Sequence, residues 1–490
     1  MKTFKHKITV GICTALLGLG TVSCNEDLLE PAPKTSLFSG VAFDTPARIS
    51  LQVNNLYDYM KSGSFLGGRY QVYGDIRAND FINQGSNLVT GTAVWQHTLT
   101  EASQNDVINL WNSAYQAINQ INVFLDGMAA NSGKFVAPAF PADFATKTSL
   151  GYQGEARLLR ALAYYSLLQF YARPYADGNG SKLGLPLRLK GETGQDNNEL
   201  ARSTVAQVYE QILADLNFAE QNLPLTQGTP ALNTTRAHRN TAIALKTRVY
   251  LSMGRYTDVI TEANKIVSAT APFTATSGVA HALSPSVAAV FAPPQETAET
   301  ILGFPATAQD APGTQNQLGF YFSSEYSLNP NGVLGDARFA ATDARRTSFV
   351  TVVGTTPFLN KKYPTGSPYT DKAPVIRYAE VLLNLAEARA RANASDAQAL
   401  ALLNAVRGRS NPDGVYTAAS FSSTFSIIDA ILLERRIEFL GEGLRNNDIM
   451  RLLAPIPGKA TISAVQPTDG NYIWPIPSTE RLTNKAIVQN

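Results

Sequence analysis

Apolar residues recur at spacings of three and four in several blocks, separated by loops, of this 490-residue chain. This spacing places them on one face of a helix and predicts amphipathic helices over residues 103–126 and 151–171, the second stopped by Pro174. A further helix is predicted from a cap at Ser203 to Asn222. Later predicted helices cover residues 241–253, 256–268, 377–392, 397–408 and 427–441, with a continuation to Leu453. The pattern therefore predicts a mainly α fold.

Two of these helices form a pair in which small residues and a turn residue are regularly placed. Ala244, Tyr250, Gly254, Tyr256 and Ala263 have spacings that resemble a tetratricopeptide repeat, in which small side chains let two helices approach and glycine allows a tight turn. Residues 382–403 repeat the pattern without the glycine. We therefore expect tetratricopeptide-like helix pairs stacked into an α-α superhelix, with an ordinary helical hairpin as the alternative.

Two segments, 64–99 and 269–373, depart from the helical pattern. The first has short apolar pieces interrupted by glycines, and the second is rich in Pro, Gly, Thr and aromatic residues. A loop-rich stretch of this length is usually functional, so we expect a loop-rich, partly β ligand-binding region. The alternative is a small β-containing subdomain that only caps the helices.

The amino terminus resembles a bacterial export signal. Three lysines precede a short apolar stretch over residues 8–20, and Cys24 follows small residues. Because this arrangement resembles a lipoprotein box, residues 1–23 are predicted to be a lipoprotein signal peptide and Cys24 the lipidated residue. Acyl chains on Cys24 would anchor the protein to a membrane. A plain secretory signal with an incidental cysteine is the alternative.

Charge and cysteine content exclude several classes of protein. Residues 1–23 hold three of the 41 Lys and Arg residues and none of the 39 Asp and Glu residues, so the mature chain is almost neutral. Near-neutrality argues against nucleic-acid binding, which needs a clustered basic excess. Both cysteines, Cys13 and Cys24, precede the body of the protein, so its stability must come from burial rather than from disulfides.

The usual sequence signals of catalysis and cofactor binding do not occur. His97, His238 and His281 are isolated, and HExxH or CxxC spacing is absent, so no metal site is predicted. The chain also lacks a GxSxG nucleophile motif and the fingerprints of nucleotide binding, so we expect no catalytic residue and no cofactor. A glycoside hydrolase needs only two carboxylates and therefore stays open as the enzymatic alternative.

The charged residues at 434–438 are too dense for a packed helix unless they pair across it. Arg445 and Arg451 are each spaced to pair with Asp448 on one helical face. We expect a paired polar network that locks the last helices to earlier ones, because buried charge is tolerated only when it is paired. A catalytic carboxylate pair formed by Glu434 and Glu438 is the functional alternative.

Four strings of residues, in order along the chain, stand out from the periodic pattern. They are residues 160–165 (RALAYY), 377–388 (RYAEVLLNLAEA), 434–445 (ERRIEFLGEGLR) with Asp448 and Arg451, and 472–477 (YIWPIP). Together they resemble segments of the SusD/RagB family, and the resemblance extends over nearly the whole mature chain, to Glu480.

The resemblance implies both a fold and a function. Family members are surface lipoproteins built on tetratricopeptide-like helix pairs with a loop-rich ligand face, and they catalyse nothing. They bind oligosaccharides, or peptides in some branches, and act as a lid on a SusC-type TonB-dependent transporter. We therefore expect a glycan-binding protein that is lipid-anchored on the cell-surface face of the outer membrane. A peptide receptor, a protein-scaffolding adaptor and a glycoside hydrolase are the alternatives.

The resemblance also implies how the mature chain is divided. Residues 24–230 correspond to a SusD-like amino-terminal part with the first ligand loops. Residues 231–490 correspond to a carboxy-terminal part that includes the insertion 269–373. We expect the two parts to form one compact unit.

The two loop-rich segments supply aromatic rings that stack on sugar C–H surfaces and polar groups that bind hydroxyls. Trp95 is the strongest candidate for stacking, and Phe304 begins the second group of aromatic residues. The other candidate ligand-binding residues are Tyr70, Tyr73, Asp75, Asn79 and Asp80 in the first segment, and Phe320, Tyr321 and Tyr326 in the second. For each aromatic residue the alternative is packing in the core, to which Trp111 and Trp474 are assigned.

Overall fold

The computed structural model describes residues 41–194 and 197–490. The predicted signal peptide and Cys24 lie outside the described residues. Residues 50–490 form one compact unit, and the described residues before Ser50 group separately. The division expected near residue 230 stays a prediction.

Helices account for most of the regular structure. In the first half of the chain they are α1 (Pro46–Met60), α2 (Arg69–Ile76), α3 (Thr92–Gln96), α4 (Asn109–Ala130), α5 (Ser149–Tyr171), α6 (Val205–Asn222), α7 (Pro230–Thr235) and α8 (Arg239–Ser252). In the second half they are α9 (Tyr256–Ala263), α10 (Val287–Phe291), α11 (Leu318–Phe320), α12 (Ala344–Phe349), α13 (Tyr378–Ala392), α14 (Ala397–Ser410), α15 (Ile427–Glu438), α16 (Arg445–Arg451) and α17 (Ser478–Thr483). This content confirms the predicted mainly α fold class.

Consecutive long helices pack against each other as pairs. α4 packs on α5, α5 on α6, α8 on α9 and α13 on α14. Gly254 lies in the turn between α8 and α9, where its φ is +69°. The pairs agree with the predicted tetratricopeptide-like architecture, because apolar faces spaced by three and four residues are buried between neighbouring helices.

Several helix ends differ from the predictions, such as that of α9, which ends at Ala263 rather than at residue 268, and two of the differences have a local cause. Thr204, rather than Ser203, caps α6, since Thr204 Oγ1 accepts a hydrogen bond from Gln207 N at 3.2 Å and Gln207 Oε1 accepts one from Thr204 N at 2.8 Å. The helix predicted to continue through residue 441 is instead two helices, α15 and α16. Gly441 and Gly443 between them have φ values of +86° and +81°, which the right-handed helix does not allow.

Short strands join the two loop-rich segments. The strands are β1 (Phe81–Asn83), β2 (Thr300–Phe304), β3 (Tyr326–Leu328), β4 (Thr351–Val353), β5 (Thr356–Phe358) and β6 (Ala373–Arg377). β1 pairs with β3, β2 with β6 and β4 with β5, each pair being antiparallel. Because β1 belongs to segment 64–99 and β3 to insertion 269–373, the two segments fold against each other, in a region that is partly β as predicted.

Segment 64–99 is more helical than its sequence suggests. α2 and α3 both lie inside it, and every residue of α2 is buried. α2 has only eight residues and no face exposed to solvent, so its sequence is too short and too mixed to show the apolar periodicity of the longer helices. Trp111 and Trp474 are in the core as assigned, and the ring centroid of Trp474 lies 4.5 Å from that of Phe170 and 5.5 Å from that of Tyr73.

A buried ion network surrounds the carboxyl end of α15. Arg345 lies 2.8 Å from Glu438 Oε2 and also contacts Glu434, while Arg407 lies 2.9 Å from Glu434 Oε2. Arg377 lies 2.6 Å from Glu438 Oε1. Burial alone would raise the pKa of Glu438, but the surrounding guanidinium groups outweigh it and hold that pKa well below its ordinary value. The predicted polar network is therefore present and fully buried.

Asp448 is part of the same kind of pairing, with one partner that was not predicted. Arg451 Nε lies 2.8 Å from Asp448 Oδ1, as expected. The second partner is Arg435, whose Nε lies 3.0 Å from Asp448 Oδ2, and the predicted pair of Arg445 with Asp448 is not among the ion pairs of the described residues. The turn through Gly441 and Gly443 ends α15 before α16 begins, and across it Arg435 of α15 reaches Asp448 of α16.

Candidate functional site

A cleft of about 310 Å³ lies where the carboxyl end of α1 meets the insertion. We call it the α1 cleft. Its lining consists of Asn55, Asp58, Tyr59, Lys61, Ser62, Gly63 and Gly67 on one side, Phe304, Pro305, Ala306, Asp310, Ala311 and Pro312 on the other, and Asp371. Residues 305–317, which follow β2 and form much of the second side, are called the cleft loop.

Lys61 joins the two sides of the α1 cleft. Its ammonium nitrogen lies 3.0 Å from Asp58 Oδ1 and also contacts the carboxylate of Asp310 in the cleft loop. The Lys61 side chain is 19% exposed, whereas those of Asp58 and Asp310 are 60% and 57% exposed. Burial lowers the pKa of Lys61, but the hydrogen bonds that it donates to both carboxylates outweigh burial and raise it. Lys61 therefore stays charged and fastens the cleft loop to α1.

Two glycines let the cleft loop lie directly on the chain that follows α1. A Cβ atom at Gly63 would lie 2.1 Å from the carbonyl oxygen of Pro312, and one at Gly68 would lie 1.8 Å from that of Asn316. Both distances are far shorter than van der Waals contact, so a larger residue at either position would displace the loop. Asn316 Nδ2 donates a hydrogen bond to Pro312 O at 2.6 Å, which holds the end of the loop in its turn.

Asp371 is a buried carboxylate in the wall of the α1 cleft. It accepts hydrogen bonds from Thr365 Oγ1 at 2.9 Å and from Thr365 N at 3.1 Å. Burial raises the pKa of Asp371 to about 6, although the hydrogen bonds from Thr365 lower it in part. A side chain in this position can accept a hydrogen bond from a ligand hydroxyl.

The α1 cleft combines two kinds of group that bind sugars. Tyr59 contributes a partly exposed aromatic ring, while Asn55, Asp58 and Asp310 contribute exposed amide and carboxylate groups. Phe304, which the sequence placed among the candidate aromatic residues, lines the cleft with a nearly buried ring. The cleft can therefore stack a sugar ring and accept hydrogen bonds from hydroxyls.

The candidates on α2 lie in the core. Tyr70 and Tyr73 are buried, and Tyr73 OH donates a hydrogen bond to Asp106 Oδ1 at 2.6 Å. Asp75 is 2% exposed and its Oδ2 accepts a hydrogen bond from Gly443 N at 3.0 Å. These side chains hold α2 in place and present no ring face or carboxylate to solvent in this conformation.

Trp95 and Asp80 are also buried and have structural partners. Trp95 Nε1 donates a hydrogen bond to Phe81 O at 2.9 Å, and the Trp95 side chain is 8% exposed. Asp80 accepts hydrogen bonds from Arg436 Nε at 2.8 Å and from Val333 N at 2.7 Å. Trp95, the strongest candidate for stacking, is therefore a core residue in this structure.

The remaining candidates differ in exposure. Tyr321 and Tyr326 are buried, and Tyr321 OH donates to Gln315 O at 2.7 Å, which supports the cleft loop from behind. Asn79 and Phe320 are partly exposed, but neither lines the α1 cleft. Ligand contact by these residues stays a prediction, and the α1 cleft is lined by a different set of residues.

Sequence reasoning missed Asp58, Tyr59 and Lys61 because they lie at the end of a helix, before segment 64–99. A usable signal was present, since Asp58 and Lys61 are spaced for an ion pair just before Ser62 and Gly63. No comparable signal marks Asp310, which a loop 249 residues away brings to Lys61.

The remaining features of the described residues bear on other functions. Glu434 and Glu438 are buried and ion-paired, so no substrate reaches them as a catalytic pair. His238 and His281, isolated in sequence, stack with ring centroids 5.2 Å apart. Among residues 41–194 and 197–490, no group of three or more His, Cys, Asp or Glu is placed to hold a metal ion. Within that same part of the chain, no helix has the length and apolar character of a membrane span.

Two family models match adjoining parts of the chain. Residues 27–251 match a SusD-like model described as starch-binding and associating with the outer membrane. Residues 247–490 match the model of the SusD family. Together the two matches extend from the segment after Cys24 to the last residue.

Individual proteins agree with these matches. A SusD superfamily protein from Bacteroides fragilis is 31% identical, with 91% of this chain and 99% of that chain covered and a TM-score of 0.80. SusD-like protein P38 from Formosa agariphila is 23% identical over 100% of this chain and 99% of its own. A laminarin-binding SusD-like protein has a TM-score of 0.67 at 23% identity, with 91% and 99% of the two chains covered. The chain therefore belongs to the SusD/RagB family.

Proposed function

We propose that this protein is a lipid-anchored receptor on the cell-surface face of the outer membrane, which binds a glycan in the α1 cleft and delivers it to a SusC-type TonB-dependent transporter. Membership of the SusD/RagB family carries the proposal. The description of the amino-terminal family model and the laminarin-binding neighbour support a glycan as the ligand. The protein would break no bond, and its task would be capture and release.

The α1 cleft has the chemistry that this task needs. Sugars present hydroxyls all around a ring whose faces are apolar, so a binding site needs an aromatic surface with hydrogen-bonding groups beside it. Tyr59 would supply the surface, and Asn55 and Asp310 would supply the hydrogen-bonding groups. As a lid on the transporter, the protein would have an open and a closed state. Glycan binding could favour one of them only to the extent that the glycan binds that state more tightly than the other.

Calorimetry of the purified protein against a panel of glycans and peptides tests the ligand. Binding of at least one glycan, weakened at least about tenfold by Tyr59→Ala, is the expected result. Tyr256→Ala is a matched control, because Tyr256 is a partly exposed ring outside the α1 cleft and should leave glycan affinity unchanged. Binding of peptides alone would favour a peptide receptor, and release of reducing sugar would favour a hydrolase.

Membrane fractionation tests the anchor. Cys24→Ala removes the proposed lipidated thiol, so the protein should move from the membrane to the soluble fraction. Cys13→Ala changes the other cysteine of the chain and should leave the protein in the membrane fraction. Full membrane retention of Cys24→Ala would contradict the anchor, and failure to co-purify with a TonB-dependent transporter would contradict the partner.

A further inference from the structure

The α1 cleft carries more negative than positive charge. Among the described residues that line it are the three carboxylates of Asp58, Asp310 and Asp371, against the single ammonium group of Lys61. Lys61 already contacts both Asp58 and Asp310. A ligand anion would therefore have to compete with two carboxylates for the one cation in the cleft.

Asp371 adds a negative charge that no cation offsets. Its carboxylate is held by Thr365 through neutral hydrogen bonds. Within residues 41–194 and 197–490, no basic side chain forms an ion pair with it. The raised pKa of Asp371 has the same origin, since burial destabilises its charged form without a compensating cation. An anionic group brought beside this carboxylate would meet repulsion that little water can screen.

Two basic residues in neighbouring segments do not change this balance. Arg69 directs its guanidinium at backbone carbonyls, donating from Nη1 to Asn105 O at 2.7 Å and from Nε to Gln315 O at 3.1 Å. Lys372, next to Asp371, points away and donates from Nζ to Thr234 Oγ1 at 3.1 Å. Both side chains are buried and engaged elsewhere.

We propose that the α1 cleft accepts uncharged glycans and rejects those that carry sulfate or uronate groups, with Asp371 as the main discriminating residue. This inference rests on the proposed glycan-binding function. Like charges placed together at a binding site weaken the binding free energy enough to exclude a ligand whose shape is otherwise complementary. Uncharged sugars avoid that cost, and their hydroxyls can donate hydrogen bonds to the same carboxylates.

Matched pairs of glycans test the proposal, because each pair differs only in charge. Laminarin and amylopectin are each compared with their own sulfate esters by calorimetry at pH 7.5 and moderate salt. For the wild type, we expect an uncharged form to bind and its sulfate ester to bind at least about tenfold more weakly. Asp371→Asn keeps an oxygen that can accept a hydrogen bond from Thr365, so this variant should fold. The ratio of the affinity for the uncharged form to the affinity for its sulfate ester should be at least about threefold smaller in this variant than in the wild type.

Two further variants separate a local charge effect from a general one. Asp310→Asn removes one of the two carboxylates that occupy Lys61, so it should also improve binding of the sulfate esters. Asp413→Asn removes one negative charge at an exposed position outside the cleft and should leave the ratio unchanged. If Asp413→Asn changed this affinity ratio as much as Asp371→Asn does, the discrimination would not come from the α1 cleft.

The outcomes distinguish this inference from the function on which it rests. If a sulfate ester binds the wild type as tightly as its uncharged form, the inference is wrong while glycan binding stands. If both Asp371→Asn and Asp310→Asn leave the ratio unchanged, the cleft carboxylates do not discriminate and the inference is wrong. If none of the four polysaccharides binds, the cleft does not accept these uncharged glycans and the inference is wrong, whereas the proposed glycan function is decided by the full panel of glycans.

Discussion

Arg377 and Glu438 lie with Nη1 and Oε1 2.6 Å apart, and both side chains are buried. Arg377 is the last residue of β6, immediately before α13, and Glu438 is the last residue of α15. Arg377 also pairs with Glu299 at 2.6 Å and with Glu442 at 2.9 Å. One guanidinium group therefore connects the insertion to the carboxy-terminal helices, in the interior of the protein.

Removing Glu438 should be strongly destabilising, because it would leave buried guanidinium groups without a partner. We expect Glu438→Ala to lower the free energy of unfolding by about 3–5 kcal/mol, measured by urea denaturation. Asp258→Ala breaks an exposed ion pair with Arg255, in which the Arg255 side chain is 45% exposed and the Asp258 side chain 38%. It should lower the free energy of unfolding by less than about 1 kcal/mol. If the two variants lowered the free energy of unfolding by similar amounts, the buried ion network would not stabilise the protein more than a surface ion pair does.

The stability of the protein should fall in mild acid because of its stacked histidines. Burial lowers the pKa of His238 to about 3 and that of His281 to about 4, both below the ordinary value of 6.5. Below pH 6.5 the unfolded chain therefore binds protons that the folded protein does not, so stability decreases as pH falls, by about 1.4 kcal/mol per pH unit for each imidazole.

His238→Phe removes one of these groups and tests the assignment. The difference in unfolding free energy between variant and wild type cancels titration elsewhere in the protein. This difference should change by about 1.4 kcal/mol per pH unit between pH 6 and pH 4 in favour of the variant, and should be constant above pH 7. A difference that is independent of pH throughout would show that His238 does not couple stability to acid.

A methyl group at Gly68 should loosen the cleft loop. The added Cβ would lie 1.8 Å from Asn316 O, so the loop must move away from the chain after α1. We expect Gly68→Ala to speed limited proteolysis within residues 305–317 and to weaken glycan binding. Gly366→Ala is the control, since nothing lies within 4 Å of its added Cβ. Unchanged proteolysis in Gly68→Ala would mean that the loop does not rest on this glycine.

The cap of α6 distinguishes two adjacent residues. Thr204→Ala removes the side-chain oxygen that accepts from Gln207 N, and should lower the free energy of unfolding by about 1 kcal/mol. Ser203→Ala, one residue earlier, should change it by less than about 0.5 kcal/mol. Thermal or urea unfolding of the two variants measures both values. A larger effect at Ser203 would favour the position expected from sequence.

Most of the long helices could be predicted from sequence because apolar residues recur along them with helical spacing, but α1 and most of the short helices were not predicted. α4 and α6 each keep an exposed polar face, so apolar spacing reveals them. α5 is buried along most of its length, but its 23 residues repeat the apolar spacing often enough for it to be predicted. α2 could not be found in this way, because it has only eight residues and none of them faces solvent. The break between α15 and α16 depends on backbone angles at Gly441 and Gly443, which spacing does not encode.

The candidate site was harder to predict than the fold. Aromatic and polar residues in a loop-rich segment look alike in sequence whether they face a ligand or the core. Tyr73 and Asp75 are core residues because α2 is covered by neighbouring elements, a property of tertiary packing. Lys61 and Asp310 meet only through the path of the cleft loop, so no local pattern contains their contact.

The anchoring of the insertion limits how binding loops can be exchanged between relatives. Glu299 pairs with Arg377, Arg345 with Glu438, and Lys362 Nζ lies 2.7 Å from Glu442 Oε1. A graft of the whole insertion, residues 269–373, would therefore need the partners of these three buried ion pairs in the recipient protein. A graft confined to the cleft loop, residues 305–317, contains none of the residues of these ion pairs. Ligand specificity can therefore change in this loop while the buried ion pairs of the insertion are kept.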